Sequence, residues 1–168
     1  FSFLLVIISI CSLLLYGCSS NEQNSRQSEK LSIVTSIFPY YDFARNIVGD
    51  KADVKLLLSP GNEPHHYEPS PSDIVAIEEC DIFIYNGGEE WVENVLDSLE
   101  NKNITVLKMT DYVSLLNEKN PDHTDGDEAD EHIWTSVRNA EQLVKKISDV
   151  VTEKDNKNKS EYENNTNQ

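Results

Sequence analysis

The sequence predicts an α/β domain built on a parallel four-stranded sheet with helices on both faces. Three observations predict it. Short apolar runs recur at Leu31–Phe38 (LSIVTSIF), Ala52–Ser59 (ADVKLLLS), Ile82–Asn86 (IFIYN) and Asn103–Lys108 (NITVLK), each of strand length and bounded by turn residues. Between them, apolar residues recur at helical spacing. The strands also lack a clean apolar–polar alternation, as expected of strands covered on both sides.

Each helix has a local reason to begin and end. Pro39 opens the first, whose apolar residues Tyr40, Phe43, Ala44 and Ile47 share one face, and Gly49 is its expected stop. The loop PGNEPHHYEP (60–69) leads to Ser70-Pro71-Ser72-Asp73. There Ser70 can cap a helix, Pro71 suits its first position, and Asp73 can complete a capping-box variant. Gly87-Gly88 turns the third strand into a helix with Trp91, Val95 and Leu99 on one face. A last helix is predicted from about Ser136 to Thr152 on the spacing of Ala140, Val144, Ile147 and Val151. Residues 153–168, EKDNKNKSEYENNTNQ, are polar throughout and read either as disordered or as the start of a further helix.

Charge and cysteine usage narrow the classes. The first 21 of 168 residues carry no charge, so all 30 acidic and 14 basic residues lie beyond them, for a net charge of −16. That sign disfavours nucleic acid and anionic membrane surfaces and suits cations. Residues 1–16, FSFLLVIISICSLLLY, are apolar but fall short of the roughly 20 residues a bilayer-spanning helix needs. They read as the apolar part of a secretory signal over 1–17. With Phe1 first and no basic flank, that signal is expected to be incomplete at its start.

Leu15-Tyr16-Gly17-Cys18-Ser19-Ser20 resembles a bacterial lipobox, with Cys18 as the lipidated mature N-terminus, although Tyr16 is bulkier than that motif usually carries. Residues 18–30 then serve as anchor and flexible tether. With Cys11 in the signal and Cys18 at the anchor, Cys80 is left as a single thiol that forms no internal disulfide. It is expected to fill a small buried position where a helix meets a strand.

The chemistry rests on histidines and acids. His65 and His66 lie in the loop after the second strand, and His123 and His132 in or at the end of the loop after the fourth. Ligands of open parallel sheets sit beyond the strands' carboxyl ends, where these loops can bring imidazoles together around a divalent metal. On spacing alone, ordinary surface histidines are the favoured reading over a metal site. The segment Asn117–His132 holds seven acids: Glu118, Asp122, Asp125, Asp127, Glu128, Asp130 and Glu131. It lacks the EF-hand pattern and reads either as a solvated acidic loop or as an accessory collector of cations. No nucleophile elbow, Walker loop, GxGxxG or HExxH is present. Cys80 begins a strand at the end opposite the histidine loops. An enzyme is not expected.

Two longer motifs now carry a resemblance. Pro60-Gly61-Asn62-Glu63-Pro64-His65-His66-Tyr67-Glu68-Pro69-Ser70-Pro71-Ser72-Asp73 resembles the PG-x-x-PH-x-YEP-x-PSD motif of the zinc/manganese solute-binding lipoproteins of ABC importers. Asp130-Glu131-His132-Ile133-Trp134-Thr135-Ser136-Val137-Arg138-Asn139-Ala140 is similar to that family's second motif, D-x-H-x-W-x-S-P-x-N-A, with Val137 where Pro is usual. The lipobox, the Ser32–Phe38 strand with Pro39, and the Tyr85-Asn86-Gly87 turn also fall where the family has them.

The resemblance implies His65 and His132 as metal ligands and His66 as a solvent-facing bystander. It implies zinc as cargo, with manganese the alternative. The acidic insert holding His123 favours zinc. It also implies a permease partner in the membrane and an exported, lipid-anchored protein on the outer face of the cytoplasmic membrane or in the periplasm. By the same resemblance the chain would be the N-terminal lobe (31–152) of a two-lobed protein whose second lobe supplies two further ligands. Residues 153–168 would then begin the inter-lobe helix, and two ligands alone would bind zinc weakly. Other classes consistent with the residues are a surface lipoprotein acting as an adhesin or metal buffer without a permease, and a metallohydrolase.

Overall fold

Four parallel strands form the centre: β1 (Leu31–Thr35), β2 (Ala52–Leu56), β3 (Ile82–Tyr85) and β4 (Thr105–Lys108), in the order β2-β1-β3-β4. The computed structural model describes residues 30–59, 61–62, 66–101, 103–114 and 131–168. The incomplete signal expected over 1–17, the Cys18 anchor and most of the tether lie outside the described residues, as do His65, His123 and the acids from Glu118 to Asp130. No helix among the described residues is long and apolar enough to cross a membrane.

The two central strands are buried on both faces, as predicted, β3 throughout and β1 over Ile33–Thr35, whereas the outer strands β2 and β4 leave Asp53, Lys55 and Val106 exposed on the second face. Along β3, Ile82 and Ile84 face one apolar cluster while Phe83 and Tyr85 face another, and in β1 Ile33 and Val34 divide the same way. The first face is covered by α1 (Phe38–Val48), α4 (Val137–Lys154) and α5 (Lys159–Thr166), through Tyr40, Ala44, Ile47, Leu143, Ile147, Val151 and Tyr162. The second face is covered by α2 (Pro71–Glu79) and α3 (Glu90–Ser98), through Ile77, Val92, Val95 and, just past α3, Leu99. Cys80 ends α2 and is buried there, as predicted. Burial pushes its thiol up to about 12, which leaves almost no thiolate at neutral pH.

The α2 start matches its sequence reading. Asp73 N–H donates to Ser70 Oγ (3.3 Å), and Ser70 N–H donates to the Asp73 carboxylate (3.1 Å), closing a capping box with Pro71 in the first turn. Two helix faces are wider than predicted, and the predicted residues Trp91, Val95, Leu99, Val144, Ile147 and Val151 all pack on the core. In α3 Val92 is buried and Trp91 is half-buried, because the ring leans over the second face against Phe83 and Tyr67. In α4 the buried line is Leu143, Ile147, Val150 and Val151. Ala140 and Val144 line a groove of about 660 Å³ beside α5.

The larger difference is at the polar end. The predicted lobe boundary after Thr152 falls inside α4, and residues 159–166 form a helix packed on the first face. Tyr162 is fully buried and its hydroxyl donates to Asp155 (2.6 Å), which also accepts from Asn158 Nδ2 (2.8 Å). Asn165 Nδ2 donates to the Ile47 carbonyl (3.0 Å), satisfying an acceptor that the last turn of α1 leaves open. One buried ring, its bond to Asp155 and one side-chain bond to the end of α1 dock the segment, which is helical rather than disordered.

Candidate metal centre

The strand order places a topological switch between β1 and β3. From β1 the chain winds one way to β2, and from β3 the other way to β4, so the connections part above the carboxyl ends of β1 and β3. Ligands bind in this crevice in open α/β sheets. The two loops singled out from the sequence leave the same end of the sheet, but from its two outer strands. They therefore converge only by reaching inward.

The floor of the crevice is a buried polar cluster. Glu89, 7% exposed, accepts from the Ser36 hydroxyl after β1 (2.6 Å) and from the N–H groups of Asn86 (3.0 Å) and Gly87 (2.7 Å) after β3. One carboxylate thus ties the two strand ends together, and three donors offset its loss of water. Asn86, also buried, receives the Tyr40 hydroxyl on Oδ1 and donates from Nδ2 to the Glu131 carbonyl (3.0 Å). Burial, and then the charge of Glu89, raise the Tyr40 phenol well above its ordinary value, so it stays a donor.

Glycine is required in this turn. Gly87 has φ +125°, and a β-carbon there would strike Thr110 Oγ1; one on Gly88 would strike the Glu131 carboxylate.

His132 stands on the arm this cluster holds. It is exposed, its ring lies 5.4 Å from that of Trp134, and Trp134 packs edge-on to Tyr40 at 6.3 Å. Ile133 beneath it is buried in the first-face core. The His132 carbonyl accepts from Thr135 N–H (3.0 Å) and the Thr135 hydroxyl (2.7 Å), closing a single 3₁₀ turn before Ser136 caps α4. The imidazole is presented to solvent from a rigid base.

The other arm is the loop that joins β2 to α2. His65 lies outside the described residues. His66 is exposed, in keeping with a bystander. Tyr67 fixes the loop's end: its ring meets Trp91 edge-on at 5.3 Å, and its hydroxyl donates to Asp73 (2.9 Å). Asp73 also accepts from Ser70 Oγ (2.6 Å) and Lys55 Nζ (3.2 Å). Burial pushes the Asp73 carboxyl up, but hydrogen bonds from Ser70, Tyr67 and Lys55 outweigh it and hold it below its ordinary 3.8.

Among the described residues no three His, Cys, Asp or Glu side chains gather as a metal site. Of the accessory acids only Glu131 is described, with its carboxylate beside Gly88. His132 carries an imidazole nitrogen of the kind borderline divalent ions prefer.

The reading of the sequence missed Ser36, Tyr40 and Glu89 as parts of this centre. It singled out the Tyr85-Asn86-Gly87 turn without a role for the Asn86 side chain. The Asn-Gly-Gly run was the available signal, since such a turn at a strand's carboxyl end marks close backbone approach.

Comparisons with known proteins show the family and the fold. Residues 33–168 match the ZnuA family, zinc-uptake complex component A, periplasmic. The zinc-binding lipoprotein AdcA of Streptococcus pneumoniae is 37% identical over 158 residues, covering 88% of this chain and 31% of that protein. The manganese-binding lipoprotein MntA of Halalkalibacterium halodurans is 32% identical over 158 residues, covering 92% of this chain and 49% of that one. The crystal structure of the Zn(II)-bound ZnuA-like domain of Streptococcus pneumoniae AdcA superposes with a TM-score of 0.69 at 37% identity, over 82% of this chain and 49% of that chain. The chain thus spans 31% to 49% of the length of these relatives.

Proposed function

The chain belongs to the ZnuA family of periplasmic zinc-uptake components, and from that premise we propose that it captures zinc outside the cytoplasm and passes it to an ABC importer permease. The observation that carries this reading is the placement of His132 on a buttressed arm over the β1–β3 switch. His65, from the arm that Tyr67 ties down, is the second ligand. Both imidazoles bind in their neutral form, and the remaining positions on the ion belong to water or to residues beyond these two.

No bond in the cargo is made or broken, so the role is capture rather than catalysis. Residues 1–17 act as the export signal and Cys18 as the lipid anchor at the outer face of the cytoplasmic membrane. The metal-binding lobe runs from Leu31 through at least Thr166, because α5 packs into the first-face core. The acidic stretch Asp122, His123, Asp125, Asp127, Glu128, Asp130 and Glu131 raises the local concentration of cations near His132.

Titration of the chain with zinc and with manganese tests this. Wild type is expected to bind zinc more tightly than manganese, and His65→Ala and His132→Ala are each expected to weaken zinc binding at least about tenfold. Unchanged affinity in both variants overturns the site. Tighter manganese binding overturns the cargo. Without a permease partner the same titrations would describe a metal buffer, so zinc uptake by cells with and without the permease separates the two roles.

A further inference from the structure

The peptide before His132 is held by a side chain from the turn after β3. Asn86 follows β3, 46 residues earlier in the chain, and its carboxamide is used from both ends. Oδ1 takes the Tyr40 hydroxyl, and Nδ2 gives a 3.0 Å bond to the Glu131 carbonyl, the peptide group directly before His132. The two bonds fix one orientation of the amide, because only the oxygen can accept and only the nitrogen can donate. Glu89, bound to the N–H groups of Asn86 and Gly87, fixes the backbone from which the carboxamide extends.

We propose that Asn86, oriented by Tyr40, is a positioning residue for His132. It sets the aim of the imidazole toward the metal without touching the metal. The inference rests on His132 being a ligand, as argued above. A surface imidazole otherwise samples several rotamers and backbone tilts, each of which must be given up on binding. The Asn86 bond to the 131–132 peptide, with Ile133 buried behind it and Trp134 on Tyr40, removes most of the backbone part beforehand. Supporting residues of this kind usually alter metal affinity by 10–100-fold. Here the bond reaches the peptide rather than the ring, which places the effect near the lower end.

The test is a double-mutant cycle on zinc affinity, read alongside amide hydrogen exchange in the metal-free chain. Asn86→Ala is expected to weaken zinc binding about tenfold, and Tyr40→Phe, which keeps the ring and removes the donor, by less. In a His132→Ala background neither substitution is expected to change affinity further. A purely structural role would lower stability in both backgrounds and leave this coupling at zero. Without metal, Asn86→Ala is also expected to speed exchange of the Thr135 amide, whose acceptor is the His132 carbonyl.

An Asn86→Ala loss that persists undiminished without His132 overturns the proposal, and so does unchanged exchange at Thr135. If His132→Ala itself leaves zinc binding intact while Thr135 loosens in Asn86→Ala, the anchor stands, and what fails is the ligand assignment together with the aim proposed here.

Discussion

The two arms that frame the crevice are held in different ways. The Glu131–Thr135 arm rests on the first face of the sheet, through buried Ile133, the Tyr40–Trp134 ring pair and the buried Asn86 amide. Tyr67, at the end of the other arm, packs against the apolar clusters of both faces, its ring on Trp91, and adds a polar knot at Asp73 with Ser70 and Lys55. Each arm also rests on a carboxylate, Glu89 at 7% exposure under the first and Asp73 at 18% under the second, and the one nearer water is the more open to pH and salt. The difference teaches which arm is tunable. The His132 arm is a fixed post, and the Tyr67 arm responds to solution conditions.

The contrast breaks most severely if the first face loses its base. Tyr162→Ala removes a fully buried ring from the cluster that also holds Ile133 and Tyr40, together with the bond to Asp155. The expected loss is about 3–5 kcal/mol, read as a drop in the urea midpoint at unchanged slope. Tyr162→Phe, which keeps the ring, is expected to cost only about 1 kcal/mol. A tail that merely frays from the lobe would show neither loss.

That prediction also marks what the sequence made legible. The strands, their parallel arrangement, the Ser70 capping box and the burial of Cys80 follow from local rules, because short apolar runs, caps and turn residues act over a few positions. The seating of α5 does not. Its evidence in sequence is a single Tyr162 among polar residues, and the partners that bury it, on α1 and α4, are set by tertiary packing. The same holds at the centre. His132 could be singled out as a residue type with metal chemistry, while the Asn86–Glu131 bond spans 45 residues and no periodicity records it. Ser36, Tyr40 and Glu89 read locally as strand end, helix face and helix start, and only the sheet order brings them together.

A smaller effect sharpens the contrast on the other arm. Asp73→Asn keeps the shape of the cap but removes its charge, and is expected to cost about 1 kcal/mol at pH 7. The folded carboxyl is held below its ordinary 3.8, so its contribution is fully present above that value and is lost as pH falls through the lower, folded one. Thermal melts of wild type and variant should therefore be separated at about pH 5–7 and converge only as pH falls below 3.8. A matched pair on the first arm, wild type against Tyr40→Phe, should keep its separation over the same range. Convergence in both pairs would remove the distinction between the two arms.

The smallest expected effect tests the rigidity of the His132 arm from its far side. Val137 opens α4 and is 76% exposed. As the first helical residue its N–H has no acceptor within the helix, and Ser136 before it already has the extended conformation, ψ 120°, that a following proline demands. Val137→Pro should therefore fit without strain and stabilise the fold by about 0.4–1 kcal/mol, chiefly by narrowing the unfolded ensemble. Because the arm is already fixed by Asn86 and the first-face core, stiffening its exit should leave zinc affinity unchanged. If the substitution instead tightens zinc binding severalfold, the arm was not a fixed post, and freedom at the Ser136–Val137 junction was limiting the aim of His132.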